Sequence, residues 1–162
     1  MDSTAEQLDE LVLFEIVDQV AWITINNLDK ANAISPQMRD RMAELFESLN
    51  GQFDARAIVL TATGDRFFCT GADISVGREY ATRPDDAPKI AVGEPRRMML
   101  RGQHPLMASI LDCELPVIAA VNGTAAGVGA HLAFMCDLVI MSENAKFIEV
   151  FARRGLVPDA LG

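Results

Sequence analysis

The sequence has few of the residues that build metal centres and disulfide frameworks. Its 162 residues include three cysteines, none of them in a C-x-x-C pair, and two histidines. An odd number of scattered thiols argues against a disulfide framework and is typical of a reducing compartment. Two imidazoles are too few for a histidine-rich metal centre. We therefore expect a cytoplasmic protein without a metal site.

Long apolar runs and an excess of basic residues are also lacking. No stretch approaches the ~18 apolar residues of a membrane span, and the acidic, polar residues 1–6 do not resemble a signal peptide. The chain has 14 basic and 23 acidic residues, a formal net charge of −9, whereas a nucleic-acid surface needs a basic face. We expect neither a membrane nor a nucleic acid as partner, although a few local donors can still hold an anionic ligand.

What the sequence does contain is a core-forming α/β pattern. Half of the residues are hydrophobic, which is enough for the core of a single domain spanning 1–162. Runs rich in β-formers alternate with helical periodicity, and this alternation indicates the α/β class. Strands are predicted over 12–16 and 20–25, as an opening hairpin, and over 57–61, 67–69, 116–121, 138–141 and 145–148.

Helices are predicted in the intervening segments. Ser35 is placed as an N-cap with Pro36 at the first helical position, and Asn50-Gly51 ends that helix. A second helix over 96–111 should be broken or kinked by Pro105, and a third should cover 130–135. Residues 76–95, with three prolines, are predicted to be a mobile loop. Because the chain stops inside a turn at 158–162, we expect a C-terminal helical part to be missing.

Two small-residue turns carry the chemical signal. Residues 70–73 follow one predicted strand and residues 122–129 follow another. Backbone N–H groups at such positions lack partners within a helix or sheet, and small residues let a ligand approach them. Two N–H groups aimed at one point form an oxyanion hole, in which each donor lowers a barrier by about 3–4 kcal/mol. Ordinary packing turns are the alternative. A dinucleotide site fits poorly, because Leu132 stands where a third glycine is needed.

These turns, together with residues 30–35, 57–61 and 135–139, resemble signatures of the crotonase, or enoyl-CoA hydratase/isomerase, superfamily. The resemblance runs from about Val12 to Gly162. It implies a crotonase-like spiral of β-β-α turns whose C-terminal helices are absent here. It also implies an acyl-CoA substrate, with coenzyme A entering as part of the substrate and no separate cofactor, and assembly as a trimer or a pair of trimers.

The same resemblance implies where the substrate binds. It assigns the oxyanion hole to the backbone N–H groups of Ala72 and Val128, although family members usually have glycine where Val128 stands. Contacts with the coenzyme A moiety and the acyl chain are expected from a larger set of residues: Lys30, Ala31, Ala33, Ala72, Asp73, Ile74, Gly127 and Phe151.

The acid–base residues depart from the family pattern. Family hydratases have glutamates where this chain has His131 and Phe151, and syn hydration needs two carboxylates. Isomerase-type members are closer over 147–162, and in them an aspartate corresponding to Asp159 shuttles a proton. We therefore expect double-bond isomerisation by Asp159, with His131 lining the pocket. The alternatives are hydration or hydrolysis assisted by His131, and a coenzyme A-binding module without catalysis. Glu149 is expected to be an exposed surface residue.

Overall fold

The computed structural model describes residues 8–76, 92–93, 96 and 99–158. These residues contain eight strands in two sheets, together with helices and turns. One sheet has the order β1-β2-β3-β5-β7 and the other the order β4-β6-β8. Apart from the antiparallel β1–β2 pair, neighbouring strands run parallel. The strands are Val12–Val17 (β1), Val20–Ile25 (β2), Ala57–Ala62 (β3), Phe67–Cys69 (β4), Val117–Val121 (β5), Thr124–Ala126 (β6), Leu138–Met141 (β7) and Phe147–Ile148 (β8).

The opening hairpin confirms the first prediction. β1 and β2 pair over their whole length, with Val17 opposite Val20. The two residues between them, Asp18 and Gln19, have φ values of 50° and 63°. A two-residue connection with both φ values positive matches the right-handed twist of the paired strands, which explains why so short a turn suffices.

The first helix also forms as its sequence signals predict. Helix α1 (Pro36–Ser48) begins with proline at its first position, and the Ser35 side chain accepts a hydrogen bond from the Met38 N–H. Its buried face includes Met42 and Phe46, which are 0% exposed. These apolar side chains, spaced four residues apart, fix the helix against the larger sheet.

The second helix differs from its prediction. A π-helical turn covers Met99–Gln103, and helix α2 (His104–Leu111) begins after it. Pro105 therefore lies in the first turn of α2, directly after the π-helical turn, so the regular helix is broken next to this proline as predicted. A first-turn position tolerates proline because the N–H that proline lacks would have no intrahelical partner there.

The predicted buried parallel strand is confirmed as β3. It lies between β2 and β5 and runs parallel to both. Its residues Ile58 and Leu60 are 0% exposed. β7, by contrast, is at the edge of the same sheet, and all four of its residues are exposed.

The segment 122–129 holds a strand that the sequence analysis did not predict. β6 lies within it, and helix α3 (Val128–Met135) begins two residues earlier than expected. Gly123 makes this possible, since a Cβ atom there would lie 2.6 Å from the Phe67 backbone nitrogen. Single 3-10 turns cover Leu28–Lys30, Ile74–Val76 and Ala152–Arg154.

Two predicted segments lie largely outside the residues that the structure describes. Most of the loop predicted over 76–95 and all of the turn after Pro158, including Asp159, lie outside the described residues. Within the part of the chain that is described, none of the helices has both the length and the apolarity needed to cross a membrane.

Candidate functional site

Three parallel strands end at one edge of the smaller sheet. β6 lies between β4 and β8, with Thr124 opposite Phe67 and Ala125 opposite Phe147. The carboxyl ends of parallel strands meet at the same edge. The residues that follow the three strands are therefore neighbours in space: 70–73 after β4, 127–128 after β6 and 149–151 after β8.

Glycines hold the two small-residue turns against each other. Gly71 has a φ of 109°, and a Cβ atom on it would lie 3.2 Å from the Ala126 carbonyl oxygen. A Cβ atom on Gly129 would lie 2.7 Å from the Cys69 Cβ and closer still to the Cys69 carbonyl oxygen. Only a hydrogen atom fits at these positions, so glycine sets the distance between the turns.

Each of these turns contains a backbone amide that has no hydrogen-bond partner among the described residues. The Ile34 N–H donates to the Gly71 carbonyl at 2.9 Å, and the Asp73 N–H donates to the Ile34 carbonyl at 2.8 Å. The Ala72 amide between them takes no part in this bridge. Among the described residues, neither the Ala72 N–H nor the Val128 N–H has a hydrogen-bond partner. Val128 is the first residue of α3, where an N–H also carries partial positive charge.

Gly127 shapes the second of these turns. Its φ of 52° and ψ of −125° are rarely adopted by residues with a side chain. Its N–H donates to the Ile148 carbonyl at 3.1 Å, and its carbonyl accepts from the Ala130 N–H at 2.9 Å. These two hydrogen bonds fix the backbone at the start of α3, and neither of them uses the Val128 N–H.

The loop over 27–33 is fastened by buried asparagines. Ala31 and Asn32 have positive φ values of 52° and 56°. The Asn32 side chain is buried, donates to the carbonyls of Thr63 and Phe67 at 3.0 Å and 2.8 Å, and accepts from the Asn27 N–H at 2.9 Å. The loop is thereby held against the start of β4, although its backbone conformation is costly for residues other than glycine.

An ion pair joins this loop to the first small-residue turn. Lys30 Nζ lies 2.6 Å from Asp73 Oδ2 and donates to Ser75 Oγ at 3.1 Å. Burial acts to raise the pKa of Asp73, but hydrogen bonds from Lys30 and Ser75 and the charge of Lys30 outweigh it, so that the pKa is lowered from its usual value. Asp73 is therefore a carboxylate at neutral pH whose first role is to connect two loops. Ile74 beside it is 95% exposed.

Helix α3 packs along the strand β8 in successive pairs. Phe134 lies on Phe147 with ring centroids 4.7 Å apart, and His131 Nε2 lies 3.4 Å from Glu149 Oε2. A Cβ atom on Gly127 would lie 3.9 Å from Phe151 Cζ. Residues three or four apart on the helix therefore lie next to residues two apart on the segment that begins with β8.

His131 is enclosed within this packing. Its side chain is 0% exposed, and its ring stacks on Phe151 with centroids 5.0 Å apart and an interplanar angle of 12°. Within the described residues neither ring nitrogen has a hydrogen bond, since the 3.4 Å separation from Glu149 exceeds a charge-assisted bond of about 2.7–2.9 Å. The alternative in which His131 itself assists water therefore requires Phe151 to move.

Comparison with known proteins agrees with this geometry. Residues 15–162 match the model of the enoyl-CoA hydratase/isomerase family. The chain belongs to the enoyl-CoA hydratase/isomerase family. It is 40% identical over 152 residues to a probable enoyl-CoA hydratase of Rhodobacter capsulatus, which covers 93% of this chain and 53% of that protein. It is 33% identical over 153 residues to a 1,2-epoxyphenylacetyl-CoA isomerase of Escherichia coli, covering 94% and 55% of the two chains.

The fold of the enoyl-CoA hydratase/isomerase family is likewise matched. An enoyl-CoA hydratase crystal structure from Mycobacterium avium subsp. paratuberculosis superposes with a TM-score of 0.75 at 29% identity, over 93% of this chain and 54% of that one. The crotonase-like α/β architecture expected from the sequence is thus confirmed. The chain spans about half the length of the family relatives it matches.

The structure brings four of the family-derived site residues to one edge. Ala72, Gly127, Val128 and Phe151 follow the three strands of the smaller sheet, and His131 lies behind Phe151. The other expected substrate contacts are on the adjoining loops: Lys30, Ala31, Ala33, Asp73 and Ile74. Asp159, expected to be the proton shuttle of this family member, lies outside the described residues.

Glu149 is the residue whose placement the sequence analysis missed. Its side chain is 45% exposed, as expected, but its carboxylate is directed at the buried His131. One signal could have revealed it. Phe147 and Glu149 are two residues apart on an extended segment, and Phe134 and His131 are three residues apart on a helix, so each pair lies on one face of its element. The pairing partner of β8 could not be known from the sequence, so the match was not visible.

The cysteines near the site of this family member are not nucleophiles. Burial raises the pKa of Cys69 to about 12 and that of Cys136 to about 12. Such thiols stay protonated at neutral pH and pack as small apolar groups. Across the described residues, no group of three or more His, Cys, Asp and Glu side chains is placed to hold a metal ion.

Proposed function

We propose that this chain is the acyl-CoA-binding core of an enzyme that stabilises a thioester enolate between the N–H groups of Ala72 and Val128. The proposal depends on one observation, which is that two turns in direct contact each contain an amide, that of Ala72 or of Val128, without a partner among the described residues. A thioester α-proton is removable only when the oxygen that gains charge is stabilised, and each preorganised donor contributes about 3–4 kcal/mol to that.

The favoured reaction is double-bond isomerisation of an enoyl-CoA by proton shuttling, in fatty-acid or related acyl-CoA catabolism. One carboxylate, Asp159, removes a proton at one carbon and returns it at another. The isomerase named among the relatives supports this choice. Coenzyme A would lie against the loop carrying Lys30, whose side chain is 49% exposed, and a trimer or a pair of trimers in the cytoplasm completes the proposal.

The test compares a 3-enoyl-CoA with crotonyl-CoA as substrates of the wild-type chain and of Asp159→Asn. We expect isomerisation of the 3-enoyl-CoA, a loss of about 10²–10⁴-fold in its rate in Asp159→Asn, and unchanged acyl-CoA binding. Exchange of the acyl-CoA α-proton with deuterated solvent reports the enolate directly. Binding without any exchange would indicate a non-catalytic coenzyme A module, and hydration that survives Asp159→Asn would defeat the isomerase assignment.

Hydration is the second candidate, because the first-named relative is a hydratase and because a carboxylate not foreseen as part of the site lies at its edge. Hydration differs from isomerisation in consuming water at the β-carbon, so formation of a 3-hydroxyacyl-CoA from crotonyl-CoA separates the two reactions.

A further inference from the structure

A carboxylate and a buried imidazole face each other beside the proposed oxyanion hole. Glu149 Oε2 lies 3.4 Å from His131 Nε2, and their side chains are 45% and 0% exposed. Phe151 covers the imidazole ring from one side. Of the two groups, Glu149 is therefore the one that is open to solvent.

The pair lies close to one of the two free amides. Val128 and His131 are three residues apart in α3, so they share one face of the helix with Cβ atoms about 5–6 Å apart. Glu149 itself follows β8, whose neighbour β6 leads directly into Val128. This topology places Glu149 directly after the strand that pairs with β6, on the same edge of the smaller sheet as Val128.

A hydrogen bond to Glu149 would stabilise the buried imidazole of His131. Within the described residues neither His131 nitrogen has a hydrogen bond. Leaving a buried polar group unpaired destabilises the folded state. A shift of about half an ångström would turn the contact into a charge-assisted bond of about 2.7–2.9 Å. That bond would place the imidazole proton on Nε2 and fix the direction of the carboxylate.

We infer that Glu149 is a catalytic carboxylate of this site and that His131 is its positioning residue. The inference rests on the proposed enolate function and adds a second acid–base group to it. In hydration, the oxygen of a water molecule bonds to the β-carbon of the enoyl thioester while Glu149 takes one proton from that water. The π electrons move to the thioester oxygen, which the two amides stabilise. Glu149 then gives the same proton to the α-carbon and the carbonyl is restored, so that one carboxylate does in two successive steps what the family hydratases divide between two glutamates.

The chain offers a matched control for this role. Glu143 is an exposed carboxylate in the turn between β7 and β8, on the same surface segment but away from α3. Glu149→Gln keeps the size and hydrogen-bonding ability of the side chain and removes only its charge, so folding should be preserved. We expect Glu149→Gln to lower kcat for crotonyl-CoA hydration by about 10²–10⁴-fold, with KM within a few-fold, and Glu143→Gln to have no effect.

The positioning role of His131 has its own readout. The chain has two histidines, so side-chain ¹⁵N NMR resolves His131 from His104, which serves as an internal reference. We expect His131 to be a single tautomer protonated at Nε2 in the wild type and a mixture of tautomers in Glu149→Gln, with His104 unchanged. An unchanged His131 spectrum would overturn the positioning role.

The outcomes separate the inference from the proposed function. If the wild type binds acyl-CoA but neither exchanges its α-proton nor hydrates crotonyl-CoA, the proposed function fails and the role of Glu149 fails with it. If the wild type is active and Glu149→Gln is equally active, the inference alone fails. Loss in Glu149→Gln with partial recovery in Glu149→Asp supports both.

Discussion

Replacing Gly129 by alanine tests whether contact between the two turns creates the proposed oxyanion hole. In a helix interior, alanine is favoured over glycine by about 1 kcal/mol. Here the added Cβ would lie 2.7 Å from the Cys69 Cβ and closer to the Cys69 carbonyl oxygen, so the backbones must separate by roughly 1 Å, an overpacking cost of about 1–3 kcal/mol. The net loss of stability is therefore about 0–2 kcal/mol.

The effect of Gly129→Ala on catalysis should be much larger than its effect on stability. A misplacement of about 1 Å costs about 100-fold in rate, and loss of one oxyanion donor costs about 10²–10³-fold. We expect α-proton exchange of a bound acyl-CoA to fall at least ~100-fold, measured by mass spectrometry in deuterated buffer. Gly51→Ala is the control. Gly51 has a φ of 69° and open space around it, so its variant loses about 1 kcal/mol but keeps its exchange rate. Wild-type exchange in Gly129→Ala would refute the reasoning.

Two further predictions concern the loop that carries Lys30. Asn32→Ala removes two donated bonds and one accepted bond of a buried amide, so the free energy of unfolding from urea denaturation should fall by about 2–4 kcal/mol, whereas a loss below about 0.5 kcal/mol would contradict the network. The pKa of Asp73 is lowered in the folded state, so its contribution is present above the unfolded pKa of about 3.9 and is lost as pH falls below that value. Asp73→Asn should accordingly flatten the acid limb of a Tm-versus-pH curve, and an unaltered limb would show that the pair with Lys30 contributes nothing.

Elements with strong local signals were predictable from the sequence. The hairpin of β1 and β2, helix α1 with its Ser35 cap and the buried strand β3 each have a periodicity or a capping residue within a few positions. Such signals involve residues close together in the sequence, so they can be recognised without knowledge of the tertiary structure. The small-residue turns were likewise visible, because glycine runs mark close approach of backbones.

Elements that depend on distant partners were not predictable. β6 consists of Thr124, Ala125 and Ala126, and two alanines do not favour a strand. It forms because β4 and β8 supply hydrogen bonds on both sides. The pairing of His131 with Glu149 has the same origin, since it requires knowing that α3 packs along β8.

Helix α3 has no free side over its first six residues. Those residues, Val128 to Ala133, are all buried, whereas Ala72 and Ile74 on the facing turn are exposed. The amide of Val128 thus lies at the start of a buried helix. The backbone amides of the neighbouring helix residues should exchange hydrogen with solvent only when the whole domain opens. The Ala72 amide lies on an exposed turn whose backbone is hydrogen-bonded to Ile34 on either side of it. Any change in the distance between the two amides would therefore have to be made by the exposed turn, while the buried helix keeps the Val128 amide in place.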